Sequence, residues 1–153
     1  MEDKTQKWLI ANIILLTLLG VVLTMAACAV KTNAPFEVEI YLDTVHDLTG
    51  VLPTIEIRIV DTLPPDLPRN AIGSCGQGKI LFLKRYWASA TDLDREQLVL
   101  HEVGHCVFGL GHKNDTIMDP IHLPLAVYKK HRQHYLNQWV EMIQEAYKNR
   151  GKN

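Results

Sequence analysis

The chain has 153 residues and carries 16 Lys plus Arg against 17 Asp plus Glu, a formal net charge of -1. This balance gives no general attraction to polyanions, so nucleic-acid binding is disfavoured. The hydrophobic share of 47%, with 9 Gly and 7 Pro, is ordinary for a globular protein and excludes a fibrous or disordered chain. Once an apolar N-terminus is set aside, the remaining residues suffice for one domain.

The N-terminal segment is apolar. Residues 8–27 carry no charged side chain, and a helix rising about 1.5 Å per residue would span roughly 30 Å over them, the thickness of a bilayer core. We therefore predict a signal or transmembrane segment over residues 1–27, a linker over 28–35 and a folded domain over 36–153.

The apolar run ends in Leu-Thr-Met-Ala-Ala just before Cys28, and this segment resembles a bacterial lipoprotein signal. The resemblance implies that the signal is cleaved and that Cys28 carries a lipid anchor. An uncleaved signal anchor and a soluble secreted protein are the alternatives. All three place the domain on the extracytoplasmic side, in the periplasm or at the cell surface, and the first two attach it to a membrane.

The cysteine count fits an oxidising compartment if Cys28 is lipid-modified, because Cys75 and Cys106 then remain as an even pair. We predict a disulfide between these two residues, with two free thiols as the alternative. Closing a loop of about 30 residues would stabilise the domain by roughly 3 to 4 kcal/mol in the chain-entropy model.

Alternating side chains predict the first strands. Apolar residues alternate with polar ones over 36–42 and again over 54–59, the pattern of strands with one buried face. Residues 44–53 between them leave room for one or two helical turns. Residues 61–78 contain three Pro and three Gly, which indicates a long irregular loop. The apolar residues 80–83 predict a third strand.

Two helices follow. Thr91 and Asp94 form the sequence pattern of a capping box, and the apolar spacing predicts a helix over 92–109 that ends at two nearby glycines. Helical spacing over 124–148 predicts a C-terminal amphipathic helix. The predicted fold class is α+β, with a mixed sheet of about three to four strands packed on the helix at 92–109.

Residues 101–105, HEVGH, form an H-E-x-x-H motif within the first of these helices. Side chains four residues apart share a helical face, so His101 and His105 can approach one cation while Glu102 stands beside it. Two glycines precede His112 and can turn the chain so that this third imidazole approaches the same cation. Three imidazoles and a water satisfy the tetrahedral preference of zinc, so we predict one bound Zn²⁺.

The string HEVGHCVFGLGH over residues 101–112 resembles the extended zinc motif of the metzincin clan of metallopeptidases, H-E-x-x-H-x-x-G-x-x-H. Residues 115–120, DTIMDP, are similar to the Met-turn of that clan, a tight turn that places a methionine beneath the metal. In this chain the third histidine follows the second by seven residues instead of six, so the turn must absorb an extra residue. The resemblance implies that the zinc ligands are His101, His105 and His112, the general base is Glu102, and the turn methionine is Met118.

The resemblance also implies a reduced metzincin-like fold and a function, the hydrolysis of peptide bonds in a peptide or protein substrate. Zinc would activate a water molecule from which Glu102 takes a proton. The strand within 79–85 would lie at the sheet edge, where an extended substrate pairs with it. A non-catalytic binding module that keeps zinc for its shape is the alternative. His122 is interpreted as an ordinary loop residue, with a contact to substrate left open.

Overall fold

The computed structural model describes residues 33–151. The predicted membrane segment, the lipid anchor at Cys28 and most of the linker lie outside these residues. In the part described, no helix is both long enough and apolar enough to cross a bilayer. The elements, in chain order, are α1 (Phe36–Thr49), β1 (Glu56–Val60), β2 (Gly73–Gly76), β3 (Lys79–Leu83), α2 (Lys84–Ser89), α3 (Asp92–Cys106) and α4 (Leu125–Arg150).

The three strands form one mixed sheet in the order β1-β3-β2, with β1 parallel and β2 antiparallel to β3. The α+β class and the small mixed sheet are therefore confirmed. The prediction that the strand within 79–85 forms the sheet edge is wrong, because β3 is the central strand. The two edge strands are β1 and β2, and β2 lies in the predicted irregular loop. Its pairing with β3 depends on a two-residue turn, Gln77 and Gly78, that adopts positive φ at both positions as hairpin turns favour.

Residues 36–49 form a helix, so the strand predicted over 36–42 is wrong. The same segment also carries apolar side chains at helical spacing, and these are the ones that the core buries. Phe36 and Ile40, which a strand would have pointed inward, are 89% and 66% exposed. Gly50 ends the helix in the left-handed conformation at φ +71°. The buried face of α1 consists of Val38, Tyr41, Leu42 and Val45.

Helix α3 begins at the predicted capping box. Asp94 N–H donates to the Thr91 hydroxyl at 3.3 Å, and Thr91 N–H donates to the Asp94 carboxylate at 3.1 Å. The helix packs against β2, β3 and α1, and its middle, from Glu96 to Gly104, is buried. It ends at Cys106, three residues before the predicted end at residue 109.

Helix α4 is joined to α3 by a buried carboxylate. Glu96 of α3 is 6% exposed and accepts hydrogen bonds from the Tyr128 hydroxyl at 2.6 Å and the Arg132 Nε at 2.9 Å. Both donors lie near the start of α4, where the backbone departs from helical geometry at His131. Because a buried carboxylate requires such compensation, this cluster sets the position of α4 against the helix that carries the H-E-x-x-H motif.

Candidate metal centre

Three histidines meet at the end of α3. The ring nitrogens that His101, His105 and His112 can offer all lie within 4.8 Å of one another, and we call this cluster the three-histidine site. Its rings are 4.7 to 5.4 Å apart between centres. His101 is buried, His105 is partly buried and His112 is exposed. These three residues can hold a metal ion at the position that the sequence indicates.

The hydrogen bonds of the two helical histidines leave the correct nitrogens free for a metal. His101 Nδ1 lies 2.9 Å from the Ile117 carbonyl oxygen, and His105 Nδ1 lies 2.7 Å from that of Leu110. A carbonyl oxygen can only accept, so each Nδ1 donates and each Nε2 retains its lone pair when the ring is neutral. Burial favours the neutral form, lowering the pKa of His101 to about 4 and that of His105 below its ordinary value.

The chemistry of this donor set fits a cation. The Nε2 atoms of His101 and His105 are 3.0 Å apart, and since both rings carry their hydrogen on Nδ1, these two atoms cannot hydrogen-bond to each other. Their lone pairs repel unless a positive charge lies between them. A shared metal ion would convert this repulsion into two ligand bonds, and backbone carbonyls orient the rings as they do in many metal sites.

The turn after α3 brings His112 to the other two histidines. Gly109 adopts a left-handed conformation at φ +66°, and Leu110 N–H reaches back to the Gly104 carbonyl at 2.9 Å, a helix-ending arrangement that favours glycine. The Leu110 carbonyl then orients His105, as described above. The Arg150 guanidinium donates to the Phe108 carbonyl from the end of α4. This turn accommodates the extra residue of the motif.

Residues 115–120 form a tight turn beneath the motif. Asp119 N–H donates to the Thr116 carbonyl at 3.0 Å, and Met118 is fully buried. A Cβ atom on Gly104 would lie 2.5 Å from Met118 Sδ, so glycine is needed at this point of α3 for the methionine to pack so closely. The turn also supplies the Ile117 carbonyl that orients His101.

Glu102 lies beside the three-histidine site without belonging to it. Its side chain is buried, and this burial raises the pKa of the carboxyl group to about 7. The backbone of β2 lies directly against it, because a Cβ atom on Gly73 would be 2.7 Å from Glu102 Oε1. Glycine at position 73 therefore provides the space that the carboxylate occupies.

A cavity of about 800 Å³ opens over these groups. The three-histidine site and Glu102 border it, residues 70–75 form one wall, and His122 lies on its margin. Apolar side chains, including Leu67, Leu98 and Ile121, complete the lining. Among the lining residues, Glu102 is the one acidic side chain, and none is Lys or Arg.

The predicted disulfide is confirmed. Cys75 and Cys106 are bonded, with their Cα atoms 5.5 Å apart. The bond joins edge strand β2 to the last residue of α3, next to His105. It therefore connects the cavity wall to the helix that carries two members of the three-histidine site.

We expect the double substitution of Cys75 and Cys106 by Ser to lower the free energy of unfolding by about 3 to 4 kcal/mol, as the chain-entropy model gives for a loop of this length. Urea unfolding of the wild-type and double-variant chains measures this difference. A reducing agent should destabilise the wild type and leave the variant unchanged. Equal stability of the oxidised wild type and the variant would contradict the prediction.

His122 lies in a loop, as the sequence interpretation expected, and close to the three-histidine site. Its ring centre lies 6.5 Å from that of His101, and its Nδ1 is 3.2 Å from the hydroxyl oxygen of Tyr86 in α2. The sequence signal that pointed to it was its position shortly after Met118. No local pattern singled out Tyr86, which lies 36 residues earlier in the chain.

Comparison of the chain with protein-family models, with curated proteins and with solved structures finds no match.

Proposed function

We propose that this protein is a zinc metallopeptidase with a reduced metzincin-like fold, anchored by its N-terminus to the extracytoplasmic face of a membrane. The observation that carries the proposal is the meeting of the three-histidine site with the buried carboxylate of Glu102 at the floor of one open cavity. A metal site that serves only structure has no use for such a carboxylate beside it. The resemblance of residues 101–120 to the metzincin motifs supports the same assignment.

The donor set favours zinc. Neutral imidazoles bind zinc well, and three of them leave a fourth tetrahedral position for water or substrate. When bound, zinc supplies a Lewis acid that polarises a carbonyl group and acidifies water. Glu102 accepts a proton from the attacking water and passes it to the amine nitrogen as the C–N bond breaks. The products are then a carboxylic acid and an amine.

Edge strand β2 supports a peptide as the substrate. Within the described residues it pairs with β3 on one side, and its residues 73–75 border the cavity. An extended peptide can add to such an edge through main-chain hydrogen bonds. The largely apolar lining suits substrates with uncharged side chains near the cleaved bond.

The extracytoplasmic location is supported by two independent features. The N-terminal apolar run and Cys28 resemble a lipoprotein signal, and the Cys75–Cys106 disulfide suits an oxidising compartment. Metabolic labelling with a fatty acid tests the anchor: we expect the wild-type chain to take up label and Cys28→Ser to remain unlabelled.

The test of the function combines metal analysis with a cleavage screen. We expect the full chain, purified in detergent, to hold one zinc ion and to cleave a defined subset of proteome-derived peptides. A chelator should abolish cleavage and added zinc should restore it. Stoichiometric zinc without cleavage of any peptide would favour the binding module, and a chain that binds no zinc would contradict both functions.

The two glycines of β2 offer a matched pair for testing the position of Glu102. An added methyl group at Gly73 would collide with the carboxylate, whereas the space around Gly76 is open. Because misplacing a catalytic group by about 1 Å can cost a hundredfold in rate, we expect Gly73→Ala to lower the cleavage rate by about tenfold to a hundredfold. Gly76→Ala should cleave like the wild type, and equal rates for the two variants would contradict the assignment.

A further inference from the structure

One buried polar atom near the cavity lacks a partner. Within residues 33–151, four buried side-chain nitrogen or oxygen atoms make no hydrogen bond, namely Gln97 Nε2, His122 Nε2, Gln138 Oε1 and Trp139 Nε1. Of these four residues, His122 is the one that borders the cavity. An unpaired buried polar group is energetically unfavourable, and because His122 borders the cavity, a group bound there is a candidate partner for its Nε2.

Tyr86 determines which nitrogen of His122 carries the hydrogen. The Tyr86 hydroxyl oxygen lies 3.2 Å from His122 Nδ1, and burial raises the pKa of Tyr86 to about 12, so the group is an intact O–H at neutral pH. This is the hydrogen bond that the Tyr86 side chain makes within residues 33–151, and we take the O–H as its donor and Nδ1 as its acceptor. A neutral imidazole that accepts at Nδ1 carries its hydrogen on Nε2. His122 thus presents an N–H donor.

The placement of this donor relates it to the three-histidine site. The ring centres of His122 and His101 are 6.5 Å apart, and no hydrogen bond joins the two rings. Both residues border the cavity together with Glu102. A peptide carbonyl positioned for attack beside Glu102 would lie in this shared space.

We propose that His122 is a catalytic residue that donates an Nε2–H hydrogen bond to the oxygen of the substrate carbonyl as negative charge develops on it, and that Tyr86 is a positioning residue that selects the required tautomer. The inference rests on the proposed peptidase function. A donor aimed at a developing oxyanion acts on the transition state more than on bound substrate, so its removal lowers kcat more than it raises KM.

Two substitutions at position 122 separate hydrogen bonding from packing. We expect His122→Phe, which keeps a ring and removes the donor, to lower kcat by about a hundredfold with KM changed less than about threefold. His122→Gln, whose amide nitrogen can replace Nε2, should recover about tenfold of the loss, and Tyr86→Phe should lower kcat by about tenfold. His46→Gln, at an exposed histidine of α1, is the matched control and should behave as wild type.

The kinetic comparison uses chains that are fully loaded with zinc, and it is made at a temperature below that at which each chain unfolds. A wild-type kcat for His122→Phe, a loss confined to KM, or a His122→Gln variant as slow as His122→Phe would each overturn the proposal.

A second measurement does not require turnover. Long-range ¹H–¹⁵N spectra of the zinc-loaded full chain should show His122 with its hydrogen on Nε2, and acetohydroxamate, a small ligand for zinc, should shift that resonance. Tyr86→Phe should increase the share of the other tautomer. A wild-type His122 with its hydrogen on Nδ1 would overturn the inference even if peptides are cleaved. Failure of the peptidase function would instead appear as absent cleavage in the screen, whatever the tautomer.

Discussion

Glutamine in place of Glu102 is expected to lower the rate constant for peptide cleavage by about 10³-fold, within the range that general acid–base groups contribute, while zinc content stays at the wild-type level. The two effects separate because Glu102 supplies no ligand atom to the three-histidine site and lies beside it. Glutamine has nearly the same shape as glutamate and cannot accept the proton from water. Cleavage kinetics and metal analysis on the same preparation measure both quantities.

An exposed glutamate provides the control for this substitution. Glu145 is an exposed residue of α4 that does not line the cavity, so Glu145→Gln removes the same charge outside the site and should leave both cleavage and zinc unchanged. Wild-type cleavage by Glu102→Gln would refute the role of Glu102 as general base. Any cleavage seen in the screen would then not depend on this carboxylate.

Zinc is expected to stabilise the folded chain by about 4 kcal/mol when free zinc is a thousand times its dissociation constant, provided that zinc binds the folded state alone. For a domain of this size the corresponding rise in Tm is about 10 °C or more. The physical reason is that the three ligand side chains come together only when α3 and the turn after it have formed. Thermal unfolding with zinc and with a chelator measures the effect.

Removal of one ligand should abolish this stabilisation. The His105→Ala variant should unfold at nearly the same temperature with a chelator as with added zinc. Each variant is compared with its own chelator-treated, zinc-free form, so that any packing defect caused by the substitution cancels. His46→Ala, which removes an exposed histidine of α1, should keep the full effect of zinc. An undiminished zinc effect in His105→Ala would show that the metal binds elsewhere.

Short-range sequence patterns were sufficient to predict the helix that carries the H-E-x-x-H motif. Thr91 and Asp94 are three residues apart, so their capping box depends on local geometry alone. His101 and His105 lie one helical turn apart, and any helix through them places both on one face. His112 also joins these two residues in the structure, because a glycine-containing turn spans only seven positions.

The errors occurred where two local patterns competed or where a strand carried no strand signal of its own. Residues 36–42 satisfy both a strand period and a helix period, and burial of Val38 and Leu42 rather than Phe36 and Ile40 selects the helix. Strand β2 has a sequence of glycines and small residues that carries no strand signal of its own. Its structure comes from hydrogen bonds to β3, which its sequence does not reveal.

The amino-acid order alone was thus enough to indicate an α+β domain, the cysteine pairing and a three-histidine cluster, because each of these follows from composition or from spacings of a few residues. Packing in three dimensions decided that β2 forms the cavity wall, that Gly73 leaves space for Glu102, and that Tyr86 reaches His122. These contacts join segments that are tens of residues apart in sequence, and the free energy that selects them comes from burial and long-range pairing rather than from local conformational preference.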